Sequence, residues 1–291
     1  NIADGQGDTY HTCIGYGAGN AITTATQQTH VGANAGLSVT TGNSNTFMGY
    51  NAGASTTTGA HNTAVGRAIF QSNTTGAQNT SMGANALQSN TTGGENVAIG
   101  YNALSAADTV SNNTAVGAEA LEKCYGSANT AVGFRALEEA TSSDYGTAFG
   151  AYAGDNVTTG DKNALFGYDA GGAISTGYKN TCVGTNAGDA ITDGYNNTCI
   201  GETSDPAGSG SYDSVTLGNV HISSLRCNTT SISSLSDGRD KTDVVDLPVG
   251  LDFINSVRPV KFKWQRRDPD RNDGKVRAGF IAQELQSAQT D

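Results

Sequence analysis

Glycine recurs at a fixed interval through most of the chain, and this regularity limits the possible folds more than any other feature of the sequence. Thirteen glycines define twelve intervals, of which eleven are 17 residues long and one is 16. These ruler glycines are Gly15, Gly32, Gly49, Gly66, Gly83, Gly100, Gly117, Gly133, Gly150, Gly167, Gly184, Gly201 and Gly218. A fixed period of this kind indicates a repeat architecture in which each unit stacks on its neighbours.

Other positions keep the same register. A larger apolar residue precedes each ruler glycine, alanine is common three residues after it, and asparagine is common four residues before it. Helical repeats run about 33–47 residues, so 17 residues with two or more glycines are too short for a helix pair. The pattern therefore predicts a β-solenoid or β-roll with glycine turns. Stacked coils would align the asparagines, which are then expected to form a hydrogen-bonded ladder.

The short segment before each ruler glycine, such as Thr63-Ala64-Val65, is expected to be a strand. Alternate residues of a strand point to opposite faces. Neither face carries the charges that a solvated sheet surface usually has. We therefore expect one face to lie inside the coil and the other to pack against a neighbouring chain. This predicts a homo-oligomer, and most simply a trimer of parallel chains around a long axis.

The charge is unevenly distributed. Residues up to Leu235 carry 17 acidic and 6 basic side chains, whereas the residues from Ser236 onward carry 10 of each. The acidic body argues against binding to nucleic acid or to an anionic membrane surface. No apolar run approaches the roughly 18 residues of a membrane span. Because the chain opens at Asn1 without an initiator methionine or a signal-peptide pattern, we expect it to be part of a longer protein.

Three motifs lie on the C-terminal side of the last ruler glycine, Gly218. The first is Ser-Asp-Gly-Arg-Asp-Lys at 236–241, and the second is Leu-Asp-Phe-Ile at 251–254 followed by Arg-Pro-Val-Lys-Phe-Lys-Trp at 258–264. The third is Gly-Phe-Ile-Ala-Gln-Glu-Leu at 279–285. Here we predict a short helix ending before Pro259, a half-buried strand over 260–264, a polar turn over 267–275, and a strand and then a helix from Gly279 onward.

These motifs resemble the peptidase S74 family, the intramolecular chaperone domain of phage endosialidases and tail fibres. In addition, the repeats over residues 9–220 resemble trimeric phage tail-fibre shafts and the head repeats of trimeric bacterial adhesins. The resemblance implies a mainly β chain: a trimeric β-solenoid shaft over 1–220, connecting strands over 221–235, and the N-terminal part of a small α+β chaperone domain over 236–291.

The same family resemblance implies a self-cleavage site. The domain would drive trimer assembly and then cut the bond after Leu235, with Ser236 as the nucleophile and Lys241 as its base. A lysine acts as a base only when its pKa falls well below about 10.4, through burial or a nearby cation. Arg239 is a candidate for that cation, and Asp237 is a second candidate supporting residue.

The resemblance implies a structural host-attachment protein, the distal part of a trimeric viral tail fibre or appendage, located in the virion. Its partners would be two further copies of the chain, other virion tail proteins and a host cell-surface receptor, for which a glycan is one candidate. Two alternatives remain open: a trimeric surface adhesin of a bacterium and a polysaccharide-degrading tail spike. Self-cleavage would occur once per chain, as maturation, so no turnover enzyme is predicted.

The remaining titratable residues predict no cofactor and no metal site. Cys182 and Cys199 occupy the same position in adjacent repeats, but stacked parallel side chains rarely reach disulfide geometry, so free thiols are expected. The histidines show no ligand spacing and are interpreted as variants of repeat positions. The acidic pairs 119/122 and 138/139 are interpreted as solvated loop charges rather than as a glycosidase carboxylate pair.

Overall fold

The repeat region forms a parallel β-solenoid. The computed structural model describes residues 10–225, 259–263 and 276–281, and the chain divides into two compact units, Asn1–Leu225 and Arg226–Asp291. In the first unit each repeat contributes one three-residue strand to a sheet of thirteen strands that follow one another in sequence order. The described residues contain no helix. These observations confirm the predicted β-solenoid.

The strands all end one residue before a ruler glycine. They are β1 (Thr12–Ile14), β2 (Thr29–Val31), β3 (Thr46–Met48), β4 (Thr63–Val65), β5 (Thr80–Met82), β6 (Val97–Ile99), β7 (Thr114–Val116), β8 (Thr130–Val132), β9 (Thr147–Phe149), β10 (Ala164–Phe166), β11 (Thr181–Val183), β12 (Thr198–Ile200) and β13 (Val215–Leu217). Each strand pairs in parallel with the next, and equivalent residues lie opposite one another, as in the pair Thr63↔Thr80. Identical positions therefore stack along the solenoid axis.

The one short interval leaves the sheet register intact, since Thr114 lies opposite Thr130 although they are only 16 residues apart. A ladder of hydroxyl-to-carbonyl hydrogen bonds runs along one corner, from Thr23 to Asp108 and again from Thr141 to Ser175. The shortened coil between these two runs places Cys124 and Tyr125 near this corner. This coil is therefore one residue shorter at its corner, while its strand keeps its full length.

Glycine recurs in two columns of the solenoid, for different physical reasons. The ruler glycines have positive φ, and a Cβ on Gly83 (φ +116°) would lie 2.6 Å from the carbonyl oxygen of Gly100 in the next coil. The second column lies seven residues before the ruler glycines. A Cβ on Gly177 would lie 2.5 Å from the carbonyl oxygen of Gly194, although its own φ is not in the left-handed region. The first column therefore needs glycine for conformation and spacing. The second needs it for spacing only in some coils, since Ala25, Val110 and Ser143 occupy the same column in others.

The predicted asparagine ladder is present. The backbone N–H and the side-chain amide of Asn79 both donate to Oδ1 of Asn62, at 3.0 and 3.1 Å. The same amide also donates to the carbonyl oxygen of Gly93 at 3.0 Å. The ladder residues are buried, so these bonds satisfy polar groups that would otherwise be costly to remove from water. Where Gly146 replaces asparagine, its backbone N–H donates to Oδ1 of Asn129 at 2.7 Å.

The core of each coil is narrow and is filled by large side chains from three positions. The middle residue of β1–β12 points inward and is buried, whereas the first and third residues point outward. Most of these middle residues are alanine, serine or cysteine, and the larger exceptions are His30, Phe47 and Leu165. The second contribution comes from the residue four after the ruler glycine, such as Leu104. The third comes from the residue seven after it, such as Ile174.

In the second unit the structure describes a two-stranded antiparallel pair, β14 (Val260–Phe262) and β15 (Arg277–Gly279), with Lys261 opposite Ala278. The first strand lies within the predicted strand over 260–264. The second begins two residues before Gly279, because it pairs along the whole of β14. The predicted helices and the polar turn over 267–275 lie outside the described residues. Within the described ranges, no helix has the length and hydropathy needed to cross a membrane.

Candidate functional site

The sequence-predicted cleavage site lies outside the described residues. This applies to Ser236, to Lys241, to the candidate supporting residues Asp237 and Arg239, and to the bond after Leu235. Their roles therefore stay predictions. The candidate surfaces among the described residues all belong to the solenoid.

The outward side of the sheet is the most extensive candidate surface. This sheet face consists of the first and third residues of β1–β13, and none of these residues is charged. The third residues include Ile14, Met48, Met82, Phe149 and Ile200, which are exposed. With about 4.8 Å between strands, the face extends on the order of 60 Å. Contiguous exposed apolar surface of this extent usually marks an interaction site.

The structure decides a point that the sequence left open. Alternation in the strands predicted one face inside the coil and one against another chain, without assigning them. The small middle residues, such as Ala64, lie inside, and the threonine and aliphatic columns, such as Thr63 and Val65, lie outside.

A carboxylate cluster lies beside the sheet, where the sequence placed solvated loop charges. Carboxylate oxygens of Glu119, Glu122 and Glu138 come within 4.8 Å of one another. Nε of Arg135 lies 2.6 Å from Oε2 of Glu119 and 3.4 Å from Oε2 of Glu138, and Lys123 pairs with Glu139.

Burial raises the pKa of Glu138, while the neighbouring Arg135 guanidinium opposes that rise. A glycosidase needs one protonated carboxyl group and one free carboxylate that both reach the substrate. In this cluster Arg135 is bound to two of the three carboxylates. The arrangement therefore fits a network of ion pairs better than a catalytic pair or a cation site.

Outside the coil interior, aromatic side chains of the described residues form three groups that the sequence analysis did not identify. Two are parallel stacks: Phe149 with Phe166 at 5.4 Å between ring centroids, and the tyrosines 178, 195 and 212 at 5.0 and 5.3 Å. The third is an edge-to-face row of Phe134, Tyr152 and Tyr168, with centroids 5.3 and 5.8 Å apart. The available signal was the recurrence of aromatic residues at the same or adjacent positions of consecutive repeats.

The histidines behave as variants of repeat positions, as predicted. Nδ1 of His11 accepts a hydrogen bond from the backbone N–H of Gln28 at 3.3 Å, as an asparagine oxygen does elsewhere in the ladder. His30 takes the place of a small middle residue and stacks on Phe47 with 5.3 Å between ring centroids. Neither ring nitrogen of His30 has a hydrogen-bond partner among the described residues. Burial, and then the nearby His11, lowers the pKa of His30 to about 4.

The four cysteines within the described residues are free and buried, as predicted, while Cys227 lies outside that part. Cys182 and Cys199 lie opposite each other in adjacent strands. A hydrogen bond with Cys199, together with burial, raises the pKa of the Cys182 thiol. These thiols fill the coil interior in the same way as alanine does in other repeats.

Comparison with known families identifies the C-terminal segment. Residues 236–291 match the model of the peptidase S74 family, described as the chaperone of endosialidase. Searches of curated proteins and of solved structures found no match to the chain. The match begins at Ser236, the first residue of the first C-terminal motif. The chain therefore joins a parallel β-solenoid to a segment that matches the endosialidase chaperone family.

Proposed function

We propose that this chain is the distal part of a trimeric phage tail fibre or comparable virion appendage that attaches the particle to its host. The solenoid would be the shaft, and residues 236–291 would promote trimer assembly. The proposal rests chiefly on one observation: a uniform solenoid with an exposed apolar sheet face leads into a segment that matches the endosialidase chaperone family.

The sheet face supplies the contact between chains in this proposal. Three parallel copies would bring their sheet faces together around a common axis, with equivalent coils at the same height. Because the sheet face carries no charged residue, three acidic chains can meet there without placing like charges in contact. The acidic side chains would stay on the outer corners of the trimer.

A repetitive shaft gives the chaperone segment a physical task. Since neighbouring coils are nearly identical, two chains can pair one coil out of step and still bury similar side chains. Weakly specified register is prone to such slippage and to aggregation. A C-terminal domain that trimerises first would fix the three chains in register before the coils of the shaft associate.

Self-cleavage, if it follows the family, would end this task. The Ser236 hydroxyl would attack the carbonyl carbon of Leu235 while a neutral Lys241 takes up its proton. The C–N bond between Leu235 and Ser236 would then break, and Lys241 would pass the proton to the departing Ser236 amine, which leaves Leu235 as an ester on the Ser236 oxygen. Water would hydrolyse this ester to the Leu235 carboxylate and the Ser236 hydroxyl, which separates the shaft from residues 236–291. A serine paired with a lysine is a known variant of the serine–histidine arrangement. The event occurs once per chain, so it is maturation and not turnover.

The assembly proposal is tested by native mass measurement of the whole chain. We expect three times the 29.6 kDa chain mass, or three times the mass of the chain cut after Leu235. Met82→Glu, at a residue 52% exposed on the sheet face, should give monomers because three buried carboxylates would meet at the axis. Ser72→Glu, at an exposed residue outside the sheet face, is the control and should stay trimeric. A stable wild-type monomer would overturn the proposal.

The maturation step is tested on a denaturing gel. Ser236→Ala and Lys241→Ala should each leave the chain uncut, whereas Ser234→Ala, two residues before the nucleophile, should be cut like the wild type. If the wild-type chain also stays intact, the cleavage prediction is wrong for this chain while the assembly proposal stands.

A further inference from the structure

Three aromatic side chains in consecutive coils form a row just beyond the sheet face. This aromatic row consists of Phe134, Tyr152 and Tyr168, each one or two residues after a ruler glycine. The ring planes meet at 88° and 77°. In an edge-to-face pair one ring presents its edge, so the pair covers only one ring face, whereas the parallel stack of Phe149 and Phe166 covers one face of each ring.

Charged groups border this row. Cζ of Arg135 lies 5.2 Å from the centroid of the Phe134 ring, and its guanidinium is held by Glu119. Asp155 lies within electrostatic reach of both Arg135 and Asp169. The row therefore combines ring faces with one oriented donor group and several carboxylate acceptors, which is the composition of a polar ligand-binding surface rather than of a core.

In these coils the second residue after the ruler glycine has a positive φ, which other coils accommodate with a better suited side chain. Arg135, Tyr152 and Asp169 each occupy the second position after a ruler glycine, with φ of 57°, 61° and 53°. Five other coils place asparagine here, at Asn34, Asn51, Asn85, Asn102 and Asn186. Asparagine tolerates the left-handed region better than arginine or tyrosine does. Backbone geometry thus does not account for Arg135 and Tyr152, whereas Asp169 suits this conformation as asparagine does. Side chains held at such a cost are often functional.

We propose that the aromatic row, together with Arg135, Asp155 and Asp169, binds an uncharged linear oligosaccharide that lies along the solenoid axis. The inference deepens the proposed host-attachment function and rests on it. Pyranose rings present apolar C–H faces that pack on aromatic rings, and their hydroxyl groups donate to carboxylates and accept from a guanidinium.

Shape and charge favour this ligand over two others. Coil stacking repeats the row at about 4.8 Å per coil, so an extended ligand can contact all three rings. A single cationic group is usually held by an aromatic cage, and these rings lie in line instead. An acidic polymer would meet the carboxylates of Asp155 and Asp169, which repel it.

The inference is tested by saturation-transfer difference NMR and titration of the full chain with uncharged linear hexasaccharides of glucose, mannose and galactose. We expect at least one to bind, and Tyr168→Ala to weaken its Kd by about tenfold or more, since tyrosines at the centre of a binding surface carry much of the affinity. Tyr50→Ala is the matched control. Tyr50 directly follows a ruler glycine, as Tyr168 does, and is 55% exposed against 54% for Tyr168.

Several results would overturn the inference. These are no binding by any uncharged hexasaccharide, binding of acidic oligosaccharides only, unchanged affinity in Tyr168→Ala, or loss of the trimer in that variant, which would show that a partner copy covers the row. Attachment to host cells is measured separately. If Tyr168→Ala particles attach normally, the row is not the receptor site although attachment stands; if wild-type particles attach without this protein, the proposed function itself fails.

Discussion

Two groups of coils in the solenoid fill their interiors in opposite ways. In the coils of β2 and β3 the middle strand residue is large, and glycine stands four residues after the ruler glycine: His30 is matched by Gly36, and Phe47 by Gly53. In the coils of β4–β8 the middle residue is alanine or serine, and the later position holds a large side chain. Those large residues are Phe70, Leu87, Leu104, Leu121 and Leu137.

The difference shows that these two positions share one volume in these coils, and that either position can fill it with a large side chain. A Cβ on Gly53 would lie 2.7 Å from the Phe47 ring, so both positions cannot be large in one coil. The backbone at the later position has the same positive φ in both groups, 58° at Gly53 and 49° at Leu87. What distinguishes the two groups is therefore packing volume, since interiors tolerate neither voids nor overlap.

The largest expected effect comes from a change that both groups of coils share. Gly83→Ala should unfold much of the solenoid, because the new Cβ would overlap the backbone of Gly100 and the φ of +116° is unfavourable for alanine. We expect a destabilisation above about 4 kcal/mol, measured as the fall in the thermal midpoint of the β-sheet circular dichroism signal. Gly208→Ala is the control, since its Cβ would meet only Ser211 Oγ at 4.0 Å. Equal melting of the two variants would contradict the requirement for a close backbone approach.

The exchange of packing positions can be tested directly. Phe47→Ala should cost about 3–5 kcal/mol through lost burial and the cavity left behind. Adding Gly53→Leu should recover at least half of that loss, because the double variant reproduces the pattern of the β4–β8 coils. Gly53→Leu alone should be destabilising, since the leucine meets the Phe47 ring. A double-mutant cycle on chemical denaturation measures the coupling. Additive effects would show that the two positions do not share one volume.

The smallest expected effect distinguishes two of the large middle residues, His30 and Phe47, by the pH dependence of stability. His30 is buried and its pKa is lowered to about 4, whereas an unfolded histidine titrates near 6.5. The unfolded chain therefore binds a proton first as the pH falls. The contribution of neutral His30 is complete above about pH 6.5 and is lost progressively toward pH 4, by at most about 3 kcal/mol.

His30→Phe should remove this acid sensitivity while keeping a stacked ring. Hydrogen exchange at the amides of β1–β3, compared between pH 7 and pH 4.5, should show acid-enhanced opening in the wild type and less in the variant. His61→Gln, at an exposed histidine, is the control for loss of an imidazole. Identical pH dependence in wild type and His30→Phe would rule out His30 as the source.

The sequence predicted the C-terminal unit and the candidate surfaces less completely than it predicted the solenoid. The alternation of Val260 to Trp264 located a strand, and the described strand ends at Phe262, where the pairing with Arg277 begins. Ser236 and Lys241 were assigned by resemblance, and their geometry lies outside the described residues. The aromatic row was missed because Phe134 and Tyr152 occupy different positions of the repeat. They become neighbours only through stacking of consecutive coils.

The sequence alone determined the period, the parallel stacking and the asparagine ladder. A glycine every 17 residues, with fixed columns around it, allows only in-register coils, so Asn62 and Asn79 must meet. Only the tertiary structure decided which strand face is inside, because alternation of small and branched residues reads the same from either side. It also decided that core volume is shared between Phe47 and Gly53, since those positions touch only after the turn bends the chain back across the coil.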